Sequence, residues 1–291
     1  MKNTLILLLL IAISGSIYSQ DLIVTNDGDS INCKITNVKH DNIYFTFKHK
    51  DEIRSTLLPV SGVKEHKTGF YQTSEVPEGK IAGYKSYPHF RVALSGGYSY
   101  MTAKVSDKVP SDFKQYIKEL KSGYHFDGDI TYFFTEILGA GVKYSMFGSS
   151  NSINNIYAEN IATGEITYGK MSDDLKISFI APMFSSRFLS RDKKNAFVMS
   201  AALGYMGYSN NGVAIDEYKM TGSTLGMALD FGYDIGLSDN LSLGFKLSLI
   251  SGTLFEYDIS NGKTTERVIL EAGEYEGLNR IDLSIGLRFN K

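Results

Sequence analysis

A single cysteine, Cys33, stands in the 291 residues, so no internal disulfide can staple this chain. Tryptophan is missing altogether and proline occurs only 5 times, against 28 glycines. That balance argues against a disordered or collagen-like polymer and suits a chain of many strands. After the N-terminal segment no apolar run reaches the ~18 residues that a helix needs to cross a bilayer, so a helical membrane span is excluded. Neither sign of charge is in excess, with 30 Lys and Arg against 32 Asp and Glu. Nucleic acid and an anionic membrane surface therefore have no electrostatic claim as partners. Metal and phosphate signals are missing too. His40, His49 and His66 are scattered among lysines without cysteine partners. Asp27, Asp29 and Asp41 match no EF-hand spacing, and Asp27 before Gly28 is explained by a hairpin turn. The glycines sit inside extended runs rather than between a strand and a helix, so no phosphate loop is present and no cofactor is expected.

What is there begins with MKNTLILLLLIAISGSIYSQ. A positive Lys2, an apolar run over residues 5–13 and a small, polar exit read as a secretory signal peptide over residues 1–19. No cysteine follows within reach of a lipoprotein-type cleavage. Residues 20–67 form a compact β-type segment. Ile31, Cys33 and Ile35 alternate, then Ile43, Phe45 and Phe47, then Ile53, Ser55 and Leu57, with turn signals at Asn26-Asp27-Gly28 and Asp41-Asn42. A small antiparallel sheet with one buried face follows, placed in the periplasm. Residues 68–89 lack periodicity and read as a linker.

Over residues 90–291 one pattern recurs: large apolar or aromatic residues alternate with small or charged ones. LSLGFKLSL puts Leu241, Leu243, Phe245, Leu247 and Leu249 on one side, and Ser242, Gly244, Lys246 and Ser248 on the other. Seven further runs share the habit, starting near Phe90, Tyr124, Leu138, Leu175, Phe197, Leu225 and Ile281. In the fourth, Leu175, Ile177 and Phe179 take the large-residue side and the phase slips near Pro182, as a β-bulge would cause. Connections alternate between long, after the odd-numbered strands, and short, after the even-numbered ones. Membrane barrels show that asymmetry, with short periplasmic turns and long outer loops.

Which face is wet decides the fold. A solvent face built of Gly, Ala and Ser has little β-propensity and packs nothing. A lumen enclosed by eight strands is only wide enough for side chains, so small residues suit it, and closure satisfies every backbone group at membrane depth. The large residues then face lipid. The expected fold is all-β: an eight-stranded antiparallel transmembrane up-and-down barrel with a small N-terminal β domain. Residues 90–289, with strands such as FGYDIGLS and IDLSIGLRF, resemble the small outer-membrane barrels of the OmpA/OmpX type. The resemblance covers about two-thirds of the chain and implies a Gram-negative outer-membrane location. Barrels of this family often end on an aromatic residue, whereas Phe289 here is followed by Asn290 and Lys291.

The inward positions would hold Arg91, Lys143, Lys176, Lys246 and Arg288 with Asp127, Asp129, Asp230, Asp234 and Asp282. Charges of both signs in a tight lumen should pair into a plug, because an uncompensated buried charge is costly; an ion path is the alternative. His125 stands near Asp127 and Asp129 at the outer end of strand two, where a rim base could serve a lipid-modifying enzyme. No nucleophile motif surrounds it, and no catalytic residue is assigned. In the first long loop Phe113, Tyr116, Ile117 and Leu120 have helical spacing, with Ser111 as N-cap and Gly123 as stop. That helix either docks a partner or folds back over the barrel mouth. The expected protein is non-enzymatic, has a side-chain-plugged lumen and holds long outer loops for binding or envelope maintenance. Its expected partners are outer-membrane lipids and a surface ligand or protein met through those loops.

Overall fold

The structure is a computed structural model and describes residues 20–83, 87–105, 109–159, 164–190 and 192–291. The expected signal peptide lies outside the described residues. The chain divides into two compact units, one ending at Ser86 and the other beginning at Tyr87.

The first unit is a five-stranded antiparallel sheet of β1 (Gln20–Thr25), β2 (Ser30–Lys39), β3 (Asn42–His49), β4 (Glu52–Pro59) and β5 (Val63–Tyr71), in the order β4-β3-β2-β1-β5. His40 and Asp41, both left-handed at φ 50° and 58°, form the two-residue turn from β2 to β3 that matches strand twist. Ile23, Cys33, Ile43 and Phe45 make the core. Alternation assigned Ile53, Ser55 and Leu57 to that core. Instead the register sets Leu58 opposite Ile43, so Leu58 packs inward and Leu57 is exposed. The Leu57-Leu58 doublet satisfies either phase, and pairing decides between them. Asp21, buried, ties three strands together: its carboxylate accepts from Ile35 N at 2.8 Å and Gly69 N at 2.9 Å. Burial, and secondarily the Asp21 charge, push the Cys33 thiol up to about 12, so it stays a neutral core group. Because β5 runs to Tyr71, the expected linker begins inside the sheet. Further along it Val76 is buried and Ala82 N donates to Thr46 Oγ1.

The second unit contains β6 (Phe90–Met101), α1 (Ser111–Leu120), β7 (Ser122–Phe133), β8 (Leu138–Glu159), β9 (Ile166–Leu189), β10 (Ala196–Ala214), β11 (Asp216–Gly236), β12 (Leu241–Leu254), β13 (Glu256–Ser260), β14 (Thr265–Ile269), β15 (Glu276–Gly277) and β16 (Arg280–Asn290). Among the described residues, eight strands form a ring: β6 through β12 pair antiparallel in chain order, β12 pairs with β16, and β16 returns to β6. Closure leaves the ring no free edge. Glycine permits close approach at the β16–β6 seam. A Cβ on Gly286 would collide with the Leu94 carbonyl oxygen, and one on Gly97 with that of Leu283.

Turns are short at one end, as expected. At the other end strand replaces loop. β6 and β16 have 12 and 11 residues, near the ~9–11 that cross a bilayer, whereas β8 and β9 have 22 and 24. The extra residues alternate in polar text such as SINNIYAE, which hides them from an apolar-pattern reading. β13 and β14 add a further hairpin on β11.

Two local expectations fail. Pro182 causes no bulge: β8 pairs Val142 with Pro182 in unbroken register, and β10 keeps one register on both sides of it. An outward proline forfeits a ladder hydrogen bond without inserting a residue. Ser111 is the first helical residue rather than the cap, since Pro110 supplies the extended entry and no side chain caps the helix. Gly123 belongs to β7, and Lys121 ends the helix.

Candidate functional site

Alternation on each ring strand sorts side chains between the outside and the lumen. Outside stand Leu94, Phe126, Val142, Ile180, Leu203, Leu225, Leu247 and Leu283 among many others, all exposed. Inside, the half nearer the short turns is charged. Asp234 sits between two arginines, with Arg91 Nε at 2.9 Å and Arg288 Nε at 3.3 Å. Arg91 also donates to Asp129 at 2.8 Å, and Lys143 meets both oxygens of Asp230 at 2.5 and 2.7 Å. Lys246 pairs with Asp127, and farther from the short turns, level with Met101 and Ile250, Arg280 pairs with Asp282 at 3.2 Å. In this network the buried cations Arg91, Lys143, Lys246, Arg280 and Arg288 meet the buried anions Asp127, Asp129, Asp230, Asp234 and Asp282, so its charges balance. Each charge would be costly alone, and pairing is what makes its burial tolerable. Two buried charges stand outside it: Arg187, held by backbone carbonyls, and Asp173, held by the neutral donors Tyr116, Asn210 and Tyr218.

The lumen corrects the sequence at one position and extends it at two. Lys176, expected inside, points outward and pairs with Asp174 at 3.1 Å. With no bulge at Pro182, the odd-numbered residues of β9 face the lumen, which reverses the expected phase of Leu175, Ile177 and Phe179. Arg187 and Arg280 were missed. Arg187 shares the phase of Ser185, and Arg280 that of Asp282, so strict alternation alone would have found both. Arg187 closes the short-turn end, donating to the carbonyls of Glu136 at 2.9 Å and Pro88 at 2.6 Å, with its guanidinium 3.7 Å from the Phe133 ring centre.

Above the charged half lies an apolar one. Met101, Phe147, Leu175, Ile177, Phe179, Met206, Ile250 and Leu254 pack together inside the ring. The lumen thus holds a core of its own, where the sequence suggested only small and charged groups.

His125 lies in the lumen and not at the rim, its side chain fully buried. Nδ1 is 3.1 Å from Ser99 Oγ, Nε2 is 2.8 Å from Ser284 Oγ and 3.5 Å from Asp127. Ser99 in turn donates to Asp282. Serine, histidine and aspartate do meet here, but every ring nitrogen is occupied by a neighbour and no face is open to a substrate. The group stitches β6, β7 and β16 across the closing seam.

An apolar exterior around a charge-neutral interior inverts the arrangement of a water-soluble barrel. This is the fold of a small outer-membrane β-barrel. No family model and no curated relative matches the sequence. Solved barrels similar to it in fold include Neisserial surface protein A, 14% identical, covering 69% of this chain and 97% of its own with a TM-score of 0.39. OprG of Pseudomonas aeruginosa is 10% identical, covering 71% and 98% with a TM-score of 0.44. The outer membrane protease OmpT of Escherichia coli is 8% identical, covering 94% and 92% with a TM-score of 0.41. At such scores the barrel rests on its own register and faces, and no activity transfers.

Proposed function

We propose that this chain is a non-enzymatic outer-membrane barrel whose lumen is sealed by its own side chains. Outer-membrane lipids surround its apolar belt. The β8–β9 and β10–β11 ribbons, α1 and the β13–β14 hairpin face outward for binding or envelope maintenance, and the N-terminal sheet lies in the periplasm. The observation that carries the proposal is the filled lumen: paired charges in the half nearer the short turns, and an apolar layer beyond them. Eight strands leave no spare bore once those side chains are seated. The enclosure of His125 speaks against the lipid-modifying alternative, and the apolar layer against a narrow ion path.

Purified full-length protein in planar bilayers is expected to give no steady conductance at an applied potential of about 100 mV of either sign. Discrete, long-lived current steps from a sample of verified purity would overturn the sealed lumen.

A further inference from the structure

Gln20, the first residue of β1, is 0% exposed, yet neither its amide nitrogen nor its amide oxygen has a hydrogen-bond partner. Among the described residues no other buried side-chain amide leaves both ends unpaired. Such a group is costly, because both ends have given up water for nothing. Asp21, Leu22 and Ile23 are buried as well, so β1 is enclosed from its first residue onward.

The expected signal peptide covers residues 1–19 and ends on the small Ser19, so its removal makes Gln20 the N-terminal residue. An α-ammonium would then stand at the same enclosed point, on a strand whose first residue is in register with Tyr71 of β5. A buried charge needs a partner. The neighbouring carboxylate is already engaged: Asp21 accepts from Ile35 N at 2.8 Å and Gly69 N at 2.9 Å, and pairs with Lys34 at 3.5 Å. An N-terminal glutamine can remove both difficulties by its own chemistry.

We infer that the exported chain is cut between Ser19 and Gln20 and that Gln20 is then modified to pyroglutamate. The inference rests on the export and periplasmic placement of the first unit and on nothing in the barrel. The neutral α-nitrogen attacks the side-chain carbonyl carbon Cδ. The N–Cδ bond forms, the Cδ–Nε2 bond breaks, and Nε2 leaves as ammonia with a proton given up by the α-nitrogen. No oxidant, reductant or second substrate is consumed, and a cyclase has only to move protons. The five-membered lactam carries no charge. It has no Nε2 left to satisfy and keeps an N–H on the strand nitrogen. Enclosure fixes the order of events: the ring closes before β1 is seated between β2 and β5 and is sealed in afterwards.

The test uses full-length protein isolated from the outer membrane of the cells that make it and digested with trypsin. Residues 20–34 contain no Lys or Arg before Lys34, so one peptide reports the N-terminus. Tandem mass spectrometry is expected to find it one ammonia lighter than the sequence and coeluting with a synthetic pyroglutamyl standard. An isotope-labelled peptide with an open Gln20, added before digestion, measures ring closure caused by handling. An open Gln20, cyclisation no greater than in the added peptide, or a first residue other than Gln20 would each overturn the inference. Pyroglutamyl aminopeptidase is expected to release the ring at least about tenfold more slowly from the folded than from the unfolded protein, because a buried site is cut only when it opens. Equal rates would overturn the enclosure of the modified residue. A conducting barrel with a cyclised N-terminus would refute the sealed lumen alone.

Discussion

Asp234→Ala is expected to yield no recoverable folded barrel. The substitution strands Arg288, whose Nε lies 3.3 Å from the lost carboxylate, and takes from Arg91 one of its two carboxylate partners, leaving Asp129 at 2.8 Å. Breaking a buried pair by deleting one partner costs about 3–5 kcal/mol, and here the same deletion also halves the pairing of a second buried cation, Arg91. Against a total stability of ~5–15 kcal/mol for an ordinary domain, that loss is decisive. The readout is the difference in migration between boiled and unboiled samples after refolding. The isolated pair Lys143 and Asp230 provides the contrast. Asp230→Leu alone should cost about 3–5 kcal/mol, whereas Asp230→Leu combined with Lys143→Met should recover most of it, because an apolar pair of similar volume is often neutral or better. A double variant as unstable as the single would show that the charges do more than cancel one another.

Leu283→Arg should cost about 2–4 kcal/mol in lipid vesicles, measured as a shift in denaturant midpoint, since that is the penalty for a cation near the bilayer midplane on the outer face of a barrel. Leu283 is outward on β16, in register with Leu247 on β12 and Tyr98 on β6, several residues from either end of its strand. Tyr168→Arg, on the extended part of β9, should cost about 0–1 kcal/mol. Tyr168 is 73% exposed and Leu283 58%. Exposure alone makes both of them surface positions, where a substitution costs within about 0.5 kcal/mol, so only depth in lipid gives Leu283→Arg its large penalty.

Most of the ring could be read from the sequence because a strand has a period of two and a closed barrel keeps that period for its whole length. Arg91, Asp129, Asp234 and Lys246 share one face by counting alone. The fourth run misled because Leu175, Ile177 and Phe179 are apolar and inward, a combination that binary patterning assigns to the outside. What places them inward is pairing with β8 and β10, a long-range fact. Lys176 followed them into error, since its neighbours set its phase. The ribbon ends of β8 and β9 were hidden for a different reason: outside an apolar environment, nothing compels alternate residues to differ in polarity. The surroundings of α1 were beyond reach, for they depend on Ile117 and Leu120 from the helix sharing one pocket with Leu175 and Asn210 from separate strands. Tyr116 was visible as part of an apolar stripe, but its hydroxyl bond to Asp173 was not.

The chain has no tryptophan, so a single indole can report on any chosen position without background. Leu283→Trp and Leu247→Trp, reconstituted in vesicles, place that indole on the outward face, and Tyr168→Trp places it on the ribbon. If the outward leucines contact acyl chains, brominated chains will quench the first two strongly and aqueous iodide will not, while Tyr168→Trp will show the reverse. Iodide quenching at positions 283 and 247, with no response to brominated chains, would contradict a lipid-facing exterior and with it the assignment of the barrel to a membrane.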